Sequence, residues 1–147
     1  MLLPEGHLMS ISLADARRIA DATFAEGAAK GLRMMSVVIT DPGGHVRFAM
    51  RSDLQGIFGI ETATAKAVSA LGFNKSTLVL SPLFSPQATA AISGATGGRF
   101  APLGGGVVIT DGAGTIVGGA GLSGGLPEID DAVVTSAVQS AGFHILG

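Results

Sequence analysis

Val37-Val38-Ile39-Thr40-Asp41-Pro42-Gly43-Gly44-His45 reads as a strand running into a tight turn, and Val107-Val108-Ile109-Thr110-Asp111 repeats its opening letter for letter. Both runs are rich in β-branched residues, and each leads into a glycine-containing turn. The first continues through His45 to Met50 as the returning strand of a hairpin, and the second predicts another hairpin over about 105–122. Hairpins pair antiparallel. Two copies are too few for a solenoid, so the repeat is read as recurring turn chemistry.

Working outward, Ser12 with Asp15 forms a capping box with Asp in place of the usual Glu. Leu13, Ala16, Ala20, Phe24 and Gly27 follow at helical spacing, which predicts a helix over 13–30 stopped by Gly31. Ile60, Ala63, Ala67 and Leu71 predict a second helix over 59–71, closed by Gly72. Ser85-Pro86 opens a short helix to Ile92, and Pro127 opens a last one to about Ala141, with Glu128, Asp130 and Asp131 where the helix dipole favours anions. Apolar positions surround most of that last helix, which predicts burial on several sides. The order of helix, hairpin, helices, hairpin, helix makes the fold class α+β, a mainly antiparallel sheet covered by helices.

The 147 residues fit one domain, read as 11–147 behind a flexible leader over 1–10. Nine Lys and Arg against eleven Asp and Glu give a net charge of −2, which leaves no basic surface for nucleic acid. The lack of cysteine excludes disulfides, thiolate metal sites and cysteine nucleophiles. No apolar run reaches membrane-spanning length, so the expectation is a cytoplasmic protein without a membrane partner. Hydrophobic residues make up 47% against 14% charged, a balance that predicts apolar surface covered by further subunits, hence a homo-oligomer of four or more chains.

Residues 94–125 hold 13 of the 23 glycines, so close backbone approach is expected there. Gly119-Ala120-Gly121-Leu122-Ser123-Gly124 matches the dinucleotide pattern, yet no returning parallel strand and no acidic residue follow at the required distance. Thr62, Lys66 and Ser69 share one face of the second helix, where Lys66 is either an anion holder or a solvated lysine. Arg99 is the other candidate for gripping an anionic ligand, against a solvated loop arginine. Asp130 is a candidate acid or base, its plain alternative being a dipole-favoured helix start. His45, at the hairpin turn, is the best-placed histidine for a ligand role, with His7 in the leader and His144 near the end. Ser123 reads as a helix cap rather than a nucleophile.

Leu13-Ala14-Asp15-Ala16, Val38 through His45, Thr64-Ala65-Lys66-Ala67, Gly104-Gly105-Gly106-Val107-Val108-Ile109 and Val117 through Gly125 with Asp130 beyond form a combination. It resembles the GlcG/HbpS haem-binding family, to which the C-terminal domain of PduO is related, from about residue 10 to the end. The resemblance implies an α-β-α domain assembled into large homo-oligomers such as octamers, and haem binding, sequestration or degradation. It also implies that His45 matches a histidine some members carry after the turn glycines, and that Lys66 matches a recurring basic residue. On this reading the glycine-rich loop with Gly104, Gly105 and Gly106, the second helix and the last helix bound a small pocket for haem, with His45 on the iron and Arg99, Thr62 and Ser123 on the ligand. Two other readings stand beside it. One is a cofactor-independent lyase or isomerase for a small carboxylate or carbonyl compound, with Lys66 and Arg99 holding the anion, Asp130 or Glu61 moving protons and glycine amides stabilising an oxyanion. The other is a non-catalytic structural subunit.

Overall fold

The computed structural model describes residues 9–147, so His7 and most of the expected leader lie outside the described residues. Five strands form one antiparallel sheet in the order β2-β1-β4-β3-β5: β1 Ser36–Thr40, β2 Val46–Arg51, β3 Gly106–Thr110, β4 Ile116–Ser123 and β5 His144–Ile145. The repeated pentapeptide closes both hairpins in the same way. Asp41 Oδ1 accepts the N–H of Gly43 and of His45 at 2.9 Å each, while Asp111 Oδ1 accepts those of Ala113 at 2.9 Å and Thr115 at 2.8 Å. An aspartate carboxylate thus ties each turn, which is why the letter recurs.

Helices α1 (Leu13–Ala29) and α5 (Pro127–Ser140) cover one face of the sheet, and α2 (Gly59–Phe73) covers the other. Ser12 caps α1, its hydroxyl accepting the Asp15 N–H at 3.0 Å. The main core lies on the α1/α5 side, where Ile19, Val37, Ile39, Val107, Ile109, Leu122, Val133, Val134 and Val138 are fully buried. The last helix buries one face and not several: Val133, Val134, Ala137 and Val138 point inward, while Ala132, Ser136, Gln139 and Ser140 form a solvent face that its apolar count obscured.

The opposite face is built from small residues. Ala63 and Ala67 of α2 meet Gly121 of the sheet, the Lys66 backbone meets Gly106, and Leu71 meets Gly119. A Cβ at Gly121 would overlap the Ala63 carbonyl, and one at Gly106 would overlap that of Lys66. The glycines therefore let α2 lie directly on the strand backbones.

Between α2 and β3 the chain makes two short elements that periodicity did not reveal, α3 (Thr77–Leu80) and a single 3₁₀ turn over Ser81–Leu83. Thr77 anchors them to the sheet: its hydroxyl donates to the Leu103 carbonyl at 2.5 Å and accepts the Gly106 N–H at 2.8 Å. Helix α4 (Pro86–Ala95) follows, capped by Ser85, whose hydroxyl accepts the Ala88 N–H at 3.1 Å. It buries none of its residues.

Candidate functional site

Two neighbouring arrangements gather the residues singled out from the sequence. The first is an ion pair that crosses the sheet. Lys66 stands on α2 and Asp130 on α5, on opposite faces, and Lys66 Nζ lies 3.2 Å from Asp130 Oδ2 and donates to the Leu122 carbonyl at 2.8 Å. The lysine is 4% exposed and the aspartate 1%. Gly105 makes the crossing possible, because its positive φ of 117° turns the backbone aside and a Cβ there would stand 3.2 Å from Nζ. The Asp130 carboxylate also accepts the N–H groups of Gly125 at 2.8 Å and Gly124 at 3.2 Å. Burial pushes the Lys66 ammonium below its ordinary value, and the Asp130 charge opposes that shift. The solvated reading of Lys66 is thereby overturned. Asp130 does more than decorate its helix start, for it ties the Gly124-Gly125 turn to the lysine. Beside it, Asp131 Oδ1 is buried with no hydrogen-bond partner among the described residues, and desolvation raises that carboxyl while the Gly105 N–H opposes the rise.

The second arrangement is a groove between α2 and α4. At one end a cavity of about 510 Å³ is walled by Phe84, Phe100, Leu103, Ala101 and, from α4, Pro86, Thr89, Ala90 and Ser93. Phe84 stands edge-to-face against Phe73 and Phe100, which are tilted against each other, with ring centroids 5.1 to 5.5 Å apart, and this cluster fixes the aromatic wall. Phe100, Ala101, Leu103 and Ser93 are shared with the next cavity, which adds Phe58, Glu61 and Thr62. Glu61, Ala65 and Gly98 are in turn shared with a third, which ends at Gly97 and Arg99. The three form one groove, apolar at the Phe84 end and polar at the Arg99 end.

The sequence candidates divide between these places. Glu61, Thr62 and Arg99 line the groove, whereas Lys66 and Asp130 meet each other in the closed ion pair and have no part in the wall of any cavity described here. The expected pocket between the glycine-rich loop, α2 and α5 is occupied by protein: Gly104 abuts the Pro127 carbonyl, Gly105 the Asp130 side chain and Gly106 the Lys66 carbonyl. Ser123 ends β4, its carbonyl accepting the Gln55 Nε2 donor at 2.9 Å, and the N-cap of α5 is Leu126 instead. His45 sits on the hairpin turn with its side chain 80% exposed and Nδ1 3.3 Å from Asp41 Oδ1. His144 lies exposed in β5. Sequence reasoning missed Phe84, Phe100 and Leu103, which flank proline and glycine outside any periodic run; the one available signal was large apolar residues within a turn-rich segment.

The sequence model of the family described as haem degrading protein HbpS-like matches residues 11–139. No curated protein matches the chain by sequence. Among solved structures, PduOC in complex with haem superposes with a TM-score of 0.82 at 23% identity, covering 94% of this chain and 99% of that one. Protein ORFY of Klebsiella pneumoniae superposes at 0.81 with 21% identity over 96% of this chain and 97% of its own. A double mutant of HbpS from Streptomyces reticuli gives 0.75 at 23% identity over 95% and 94%. These likenesses establish a shared fold, and with the family match spanning nearly the whole sheet and both helical layers, the chain belongs to the HbpS-like family.

Proposed function

We propose that this protein binds haem in the groove between α2 and α4 and does so as a homo-oligomer. The carrying observation is the groove itself: an apolar wall of Phe84, Phe100 and Leu103 at one end and a cation, Arg99, at the other. Its volume falls within the range of small-molecule sites, roughly 300–1,000 Å³. The donor chemistry fits the ring better than the metal. Phe84 and Phe100 offer stacking faces, Thr62 and Thr64 offer hydroxyls, and Glu61 is the one carboxylate in the wall, while His45 stands outside it on the same protomer. The residues of this chain would hold the porphyrin by its face and edge, exclude water from the Phe84 end and leave the Arg99 end open to solvent. Bound haem would supply redox-active iron there. The family description and the haem-bound relative support the choice of ligand.

Titration with haem, followed at the Soret band, tests the reading. We expect saturable binding that is weakened at least tenfold by Ala90→Trp, which fills the groove from a helix that buries nothing and so leaves the core intact. An unaltered affinity in that variant would move the site elsewhere. The same titration on His45→Ala assigns the iron: a shifted Soret band marks this turn histidine, contributed by a second copy, as the ligand, and an unshifted band removes it.

A further inference from the structure

Resting on the haem reading, we infer that Arg99 sets the orientation and selectivity of the ligand, holding a carboxylate edge at the Gly97–Arg99 end with the apolar edge against Phe84 and Phe100. The groove is asymmetric in charge. Arg99 is the one cationic side chain among its lining residues, and the Phe84 cavity carries no charged residue at all. A flat molecule with anionic groups along one side therefore has one favourable way to enter. The Arg99 guanidinium is also uncommitted. Its hydrogen bond is a long one, 3.5 Å from Nη2 to the Gly44 carbonyl, and no carboxylate pairs with it among the described residues. Gly44 leaves the space it occupies, since a Cβ there would stand 2.8 Å from Nη2. The planar fork can thus turn from the hairpin toward the groove and grip a carboxylate with two parallel N–H donors.

Glu61 lines the same end without pairing to Arg99. Its negative charge opposes an incoming carboxylate, so the selectivity of the site is the difference between an attractive Arg99 and a repulsive Glu61. A ligand with the same ring and no charge on its edge escapes both.

Haem and its dimethyl ester, which keeps the iron and the ring but carries no carboxylate, separate the two contributions. Wild type, Arg99→Gln, Arg99→Lys and Glu61→Gln are each titrated with both compounds, with circular dichroism as the check on folding. The expected result is a preference of wild type for haem over the ester of roughly tenfold or more, as a charge-assisted bidentate contact implies. Arg99→Gln should lose that preference by binding haem more weakly while binding the ester as before, Arg99→Lys should restore part of it, and Glu61→Gln should increase it. Retention of the preference in Arg99→Gln, or a reduced preference in Glu61→Gln, would overturn the assignment of the carboxylate to Arg99 while leaving haem binding in place. No Soret change with either compound in wild type would instead overturn the haem reading, and this inference with it.

Discussion

Lys66 and Asp130, separated by 64 positions in sequence, neutralise each other where neither can reach water. Taking one partner away strands the other charge in the interior, which costs about 3–5 kcal/mol in comparable pairs. Lys66→Met is therefore expected to destabilise the fold by about that amount, and Lys66→Met with Asp130→Leu by less than the sum of the single changes, as urea denaturation in a double-mutant cycle will read. The neighbouring Asp131 behaves in the opposite sense. Its carboxyl is raised in the folded protein above the ordinary 3.8 by desolvation, so between 3.8 and the raised value the native state binds more protons than the unfolded chain. Stability contributed by this group falls as pH climbs through that window, and at neutral pH its burial remains a cost. Asp131→Asn should accordingly be more stable than wild type at pH 7, by up to about 1 kcal/mol, with the advantage shrinking toward pH 4. A thermal melt series across that range checks it; an advantage that grows on acidification would refute the account.

At the scale of elements, the join between α2 and the sheet depends on missing side chains. Gly121→Ala would drive a methyl group into the Ala63 carbonyl, and backbone on both sides leaves little room to yield. Overpacking of this kind costs about 1–3 kcal/mol and sometimes more. We expect Gly121→Ala at the upper end or beyond, and Gly112→Ala, at a turn with open space around it, within about 0.5 kcal/mol of wild type. Much of this level was legible beforehand. The Asp-tied turns, the capped start of α1 and the period of α2 are local chemistry, written within a few residues, and the glycine cluster announced close backbone approach. What stayed hidden is non-local. The crossing of Lys66 to Asp130 depends on Gly105 turning aside, α3 depends on Thr77 reaching Leu103 and Gly106, and the groove arises only when Phe58, Phe84 and Phe100 converge from separate segments. The small-residue face of α2 also misled: Lys66 among alanines looked like a solvent stripe because nothing in its own helix shows the aspartate behind the sheet.

For the whole molecule, one end of the sheet carries a rim of exposed apolar side chains. Met34 precedes β1, Leu54, Ile57 and Phe58 follow β2, Leu103 precedes β3 and Leu126 follows β4, all near the same strand ends and between 49% and 75% exposed. A monomer seldom leaves so many together, and the rim is the surface through which we expect chains to associate. Light scattering should give a mass of at least four times the 14.6 kDa chain, and Ile57→Asp with Phe58→Asp should lower it; a monomeric wild type would leave the rim without a partner. Among the described residues no helix is long and apolar enough to cross a membrane. The ion pair through the sheet has a consequence in time as well. Its two charges arrive from opposite layers, so neither is neutralised until both helices have docked and the Gly105 bend has formed. We expect such a contact to form after the folding barrier has been crossed, like a latch, so that in stopped-flow kinetics Lys66→Met refolds at nearly the wild-type rate while its native state opens faster.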